Sequence, residues 1–91
     1  VMKKCVVTVV GPDNVGIIAK VCTYFAENGI NILDISETIV SKYLNMMMLV
    51  DLKESPKTLE LISEELKALG EEIGVLVNIQ REEIFDMMHR I

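Results

Sequence analysis

Val6-Val7-Thr8-Val9-Val10-Gly11-Pro12-Asp13-Asn14-Val15-Gly16-Ile17-Ile18 decides how this chain is read. An apolar run meets a tight loop, and the loop meets the opening of a helix. The run is unbroken in Val and Thr, which predicts a strand, roughly Cys5 to Val10, buried on both faces. Gly11-Pro12 ends it, because proline has no N–H for a sheet ladder. Asp13 reads as the N-cap of a helix from about Asn14 to Asn28, its carboxylate accepting from backbone N–H groups at the helix start. Those N–H groups lie at the positive end of the helix dipole. The stretch therefore predicts a small notch that accepts an anion.

Downstream, Ile18, Val21, Cys22 and Phe25 fall on one helical face. Asn28-Gly29 ends that helix, with Gly29 free to turn left-handed. A second strand runs from about Asn31 to Val40. There Leu33, Ile35 and Ile39 alternate with Asp34, Ser36 and Thr38, which predicts one buried face and one polar face. Glu37 falls on the apolar side, which a bulge or an exposed strand end would explain. Ser41 to Asn45 is a turn of hairpin length, and Met46 to Asp51 is a third strand pairing antiparallel with the second. Ser55-Pro56 opens a second helix, with Ser55 as cap and Pro56 at the first helical position. Its buried face is Leu59, Ile62, Leu66 and Leu69, and Gly70 closes it. A fourth strand, Val75 to Gln80, turns Val75, Val77 and Ile79 inward. A last amphipathic helix, Glu82 to Ile91, offers Ile84, Phe85, Met88 and Ile91. The order predicts an α+β fold of the ferredoxin-like βαββαβ type: a four-stranded antiparallel sheet with two helices on one face, plus a C-terminal helix. The other sheet face needs a cover, either the tail helix or a second subunit.

Composition narrows the function. Ninety-one residues hold one small domain. With 51% apolar residues and only 4% aromatic, the core is aliphatic and some apolar surface stays uncovered, which predicts self-association. A net charge of -5 argues against nucleic acid and against an anionic membrane surface. Cys5 and Cys22 read as small core residues in a reducing compartment, which points to the cytoplasm. Met2-Lys3-Lys4 and the apolar run after it are too short for a signal peptide. Val1 reads as a residue left over from cloning. No segment is long enough to span a membrane.

Two stretches resemble a known family, the ACT domain. They are Val10-Gly11-Pro12-Asp13-Asn14-Val15-Gly16-Ile17-Ile18 and Asn28-Gly29-Ile30-Asn31-Ile32-Leu33-Asp34-Ile35. The first has an Asp, two variable residues and a Gly before an apolar helix start. The second has Gly-x-Asn-Ile at the entry to strand two. The resemblance covers about Cys5 to Arg81, so residues 5–81 are taken as the ACT domain and 82–91 as an appended helix. Ile39-Val40 through Met46-Met47-Met48, and Asn78-Ile79-Gln80 through Ile84-Phe85, look like a small stand-alone single-domain family of bacteria and archaea. The resemblance implies a regulatory module that pairs side by side and binds an amino acid or another small metabolite at the pair interface. By the same resemblance, Asp13, Asn14, Val15, Gly16 and Ile17 form one wall of the site, and Asn31 and Ile32 of the other subunit form the second.

The residues agree with that chemistry. Gly16 lets a ligand approach the backbone, the helix N-terminus suits a carboxylate, and Asp13 or the Asn31 carbonyl accepts from an ammonium group. Each also has a plain role: Asp13 as a cap, Gly16 in helix-to-sheet packing, Asn31 as a turn residue. Met46-Met47-Met48 reads as strand core and interface filling, not a metal site, and His89 as a solvated helix residue. No metal and no cofactor is assigned. An acylphosphatase needs an Arg in the first loop, metal carriers of this topology a Cys-x-x-Cys there, and RNA binders exposed aromatics with a basic balance. This loop has no Arg, Lys or Cys, the few aromatics and the net charge of -5 do not suit an RNA binder, and a lone His supports no nucleophilic triad. Two functions remain. One is a non-catalytic, homodimeric amino-acid sensor read by a partner enzyme or regulator, in the style of the ACT-containing regulator of glycine cleavage. The other is a ligand-free protein-interaction module docking through the bare sheet face and the tail.

Overall fold

A computed structural model describes residues 3–88. The elements are β1 (Lys4–Pro12), α1 (Ile17–Glu27), β2 (Asn31–Val40), β3 (Tyr43–Asp51), α2 (Leu59–Ile73), β4 (Leu76–Arg81) and α3 (Glu82–Met88). The sheet order is β2-β3-β1-β4, every pair antiparallel. This is the expected βαββαβ fold with both main helices on one face. Val1, Met2, His89 and Ile91, on which expectations were also placed, lie outside the described residues.

Strand register sorts the side chains. Val7 stands opposite Met48 and Ile79, and Val9 opposite Met46 and Val77. These residues are buried with Val21 and Phe25 of α1 and Ile62 and Leu66 of α2 in one core. Each such side chain contributes about 1.5–3 kcal/mol on burial. The second face behaves differently from the expectation for the first strand. Val6 is buried there, but Val10, Met47 and Leu76 are exposed, Leu76 at 76%. α3 packs against β1 and β4 and does not reach over those three, so it leaves much of this face open.

Several boundaries move, each for a local reason. β1 continues through Gly11 and Pro12, which pair with Leu44 and Tyr43. A proline is tolerated there because it closes the strand. A β-carbon at Gly11 would come within 2.8 Å of Val75 Cγ1, so glycine is needed where β4 begins. The β2–β3 turn is only Ser41-Lys42, with Ser41 left-handed at φ 58. α2 is capped not by Ser55 but by Thr58, whose hydroxyl accepts from the Leu61 N–H at 3.2 Å. Ser55 instead accepts from the Lys57 N–H. Gly70 does not close α2. The helix runs on to Ile73 and is ended by left-handed Gly74.

The largest departure is β2. Leu33, Ile35 and Ile39, expected to be buried, are 37%, 47% and 51% exposed. A bulge between Ile32 and Asp34 leaves Leu33 unpaired. Without that extra residue, Asp34, Ser36 and Thr38 would follow Ile32 onto the core face. With it, Ile35, Glu37 and Ile39 stand opposite Met48, Met46 and Leu44. They share the helix-side face, but β2 is an edge strand and the helices leave it uncovered. That exposure is what makes Glu37 tolerable.

Candidate functional site

The β1–α1 loop is built by three features. Its start is tied to the β2–β3 hairpin, where the Asp13 N–H donates to the Lys42 carbonyl at 2.8 Å. Its end is Gly16, left-handed at φ 90, which is the N-cap of α1 and makes no side-chain cap bond. Asp13 is therefore not the cap, which corrects the sequence reading. The helix starts three residues later than an Asp13 cap requires, at Ile17, because only glycine adopts this backbone without strain. Between them, Asn14 accepts a long hydrogen bond from the Ile17 N–H at 3.4 Å.

Side-chain directions follow. Asp13 and Asn14 are exposed, and Val15 is fully so. The space in front of Gly16 is empty: a β-carbon there would meet nothing within 4 Å. The Ile17 side chain is 2% exposed and belongs to the core. Of Ile17, only the backbone faces the loop. The first helical hydrogen bond runs from the Lys20 N–H to the Gly16 carbonyl at 2.9 Å, so the Ile18 and Ala19 amides precede it and point out of the helix end. No acidic residue lies in this first turn, so no side chain of the helix itself answers the dipole. An external carboxylate would.

The second expected wall is not here. Asn31 stands opposite Asp51, which stands opposite Lys4, while the loop follows Pro12, opposite Tyr43. The two walls are at opposite ends of the sheet, on the order of 25 Å apart at 3.3 Å per residue. Asn31 is exposed and Ile32 half-buried against the core. Within one chain, Asp13, Asn14, Val15 and Gly16 are brought together, and Asn31 and Ile32 are separated from them. Sequence reasoning missed Lys42 and Tyr43, which the hairpin places beside the loop. A shorter turn, with Tyr43 inside the strand, was the signal that would have found them.

The ACT domain family model matches residues 3–80. The chain belongs to the ACT domain family. A UPF0237 protein of Bifidobacterium longum is 52% identical over 90 residues, covering 99% of this chain and all of that one. The structure of an ACT domain protein from Streptococcus pneumoniae superposes with a TM-score of 0.81 at 38% identity, over 92% of this chain and 94% of that one. A putative glycine cleavage system transcriptional repressor superposes with a TM-score of 0.77 at 26% identity, over 89% of this chain but 46% of that one. ACT domains are regulatory modules that commonly bind small effectors and form dimers. Among the described residues, no helix is long and apolar enough to cross a membrane.

Proposed function

We propose that this ACT domain is a non-catalytic sensor that binds a small amino acid between two copies of the chain. The supporting observation is the separation of the two walls. An antiparallel pairing of β2 with β2 of a second copy, about a two-fold axis, puts Asn31 of one copy beside Val40 of the other. It thereby sets Asn31 next to the other copy's Asp13–Gly16 loop. The β2 edge is unpaired in the single chain, so its N–H and C=O groups are available for this addition. In the pair, the ligand carboxylate meets the Ile18 and Ala19 amides, and the ammonium meets Asp13 or Asn31. Ligand binding favours one arrangement of the pair, which a partner enzyme or regulator reads. On this reading residues 5–81 form the sensing unit, α3 is an appendage, and the protein works in the cytoplasm.

The test is thermal unfolding with each common amino acid in turn, alongside sedimentation. One or two selective stabilisations of a dimer support the sensor. A second reading, a ligand-free interaction module, is favoured by the exposure of Val10, Met47 and Leu76. It gains if no amino acid shifts the melt.

A further inference from the structure

A cavity of about 820 Å³ opens at the end of the sheet opposite the β1–α1 loop and contains none of the residues discussed for the amino-acid site. Its floor is apolar: Cys5 and Leu52 are buried and Leu59 is half-buried. Around the floor stand four cations, Lys3, Lys4, Lys57 and Arg81, in a chain whose net charge is -5. Three carboxylates, Glu60, Glu82 and Glu83, complete the rim.

The charges are not equally explained by the fold. Glu60 lies in the first turn of α2, and Glu82 and Glu83 in the first turn of α3, where a carboxylate answers the helix dipole. Lys57 is held by Glu65 at 2.6 Å. Asp51, the buried carboxylate nearest in register to Lys4, spends its Oδ1 on the Lys3 and Lys53 backbone N–H groups, both at 3.0 Å. Lys3, Lys4 and Arg81 remain. Among the described residues no ion pair joins their side chains to any carboxylate. Arg81 stands opposite Cys5. Burial pushes the Cys5 thiol up, the Arg81 charge works against that, and the Asp51 charge adds to it.

We propose that this cavity is a second ligand site, separate from the amino-acid site, and that it takes a phosphorylated metabolite of nucleotide size. Three uncommitted cations suit phosphate oxygens, Arg81 as a planar fork and Lys3 and Lys4 as point charges. The apolar floor suits a ring system, and the rim carboxylates accept from its N–H or O–H donors. The volume lies within the range of pockets that enclose such ligands.

The test is amide NMR of the isotope-labelled full chain titrated with ATP, and in a parallel arm with pyrophosphate. Saturable shifts confined to residues 3–5, 57–60 and 81–83 are expected. Arg81→Gln weakens binding about tenfold, as loss of one charge-assisted contact does. Lys4→Gln gives the same direction if the Arg81 variant does not fold. Lys67→Gln, an exposed charge on α2 outside the cavity, leaves affinity unchanged. Tighter binding of ATP than of pyrophosphate supports a ligand of nucleotide size, and an equal response to both anions overturns that size. The proposal is overturned if neither anion gives saturable shifts, if the shifts centre on the Asp13–Gly16 loop, or if Lys67→Gln weakens binding as much as Arg81→Gln.

Discussion

Gly16 and Gly74 make a matched pair for testing the amino-acid site. Both are left-handed, at φ 90 and φ 82, and a β-carbon at either would meet nothing within 4 Å. Alanine at each therefore costs backbone strain without a clash, about 1–2 kcal/mol, or a fall in Tm of about 4–16 °C for a domain this size. Only Gly16 fronts the notch. At one hundred times its Kd, a ligand stabilises the native protein by about 2.7 kcal/mol, a rise of roughly 11–22 °C. If the Gly16→Ala methyl occupies the ligand's space and weakens binding about tenfold, the same concentration gives only about 1.4 kcal/mol, half the rise. Gly74→Ala keeps the whole rise from its own lower baseline. The assay is a thermal melt of the three proteins with and without the amino acid that stabilises the wild type. A full ligand shift in Gly16→Ala would falsify the placement of the ligand at this loop, whatever the strain did to the baseline.

Gly70→Ala inverts the usual rule. Alanine is favoured over glycine in a helix interior by about 1 kcal/mol, but here its β-carbon would come within 2.6 Å of the Val75 carbonyl and 3.0 Å of Val77 Cγ2. Overpacking costs about 1–3 kcal/mol, so the urea midpoint falls with m unchanged; a raised midpoint refutes the contact. Asp51 is held below its usual value of 3.8 by the Lys3 N–H first and the Lys53 N–H second. Its contribution is whole above pH 3.8 and is lost as pH drops through the lower native value. Asp51→Asn is therefore less stable near neutrality and flatter in acid, as denaturant melts across pH will read. Tyr24 has the opposite sign. Burial, then the bond its hydroxyl donates to Glu65 at 2.8 Å, holds the phenol above its usual 10.0. The stability it adds is whole below pH 10.0 and fades as pH rises beyond it, so Tyr24→Phe shows a weaker alkaline loss than wild type.

The features legible in the sequence are those set by short-range pattern. Alternation put Val75, Val77 and Ile79 in the core and helical spacing put Val21 and Phe25 there, but Ile18, counted on the same helical face, is 39% exposed and Ile17 is buried instead. Helix ends were harder, because competing caps lie a few residues apart. Ser55 and Thr58 both suit an N-cap, and only the Leu61 N–H decides between them. Gly70 looks like a stop, yet it is a helix residue kept small by the Val75 carbonyl five positions on. The same ambiguity shifted the start of α1 from Asp13 to Gly16. For the site, the loop was legible as a unit because its residues are contiguous. The distance from it to Asn31 was not, because it depends on register across three strands.

The failure at β2 is itself informative. Ile35 and Ile39 have the period of a buried face, and the single chain exposes both. A ten-residue edge strand carrying apolar side chains and unpaired backbone groups invites pairing with another strand, and natural edges are commonly blunted by inward charges or short length. β2 is not short, and its one inward charge, Glu37, sits between the two isoleucines. In the antiparallel β2–β2 pairing that sets Asn31 beside Val40, Ile32 of one copy meets Ile39 of the other across the seam. The alternation then reads correctly, as the pattern of an interior strand in an eight-stranded sheet of two copies. The exposed apolar edge thus favours an edge-to-edge pairing of the kind the proposed amino-acid site needs. A mutation that blocks the edge, Ile35→Lys, is expected to yield a monomer that keeps the fold and loses the amino-acid response together. A monomer that still responds would break the link between the two.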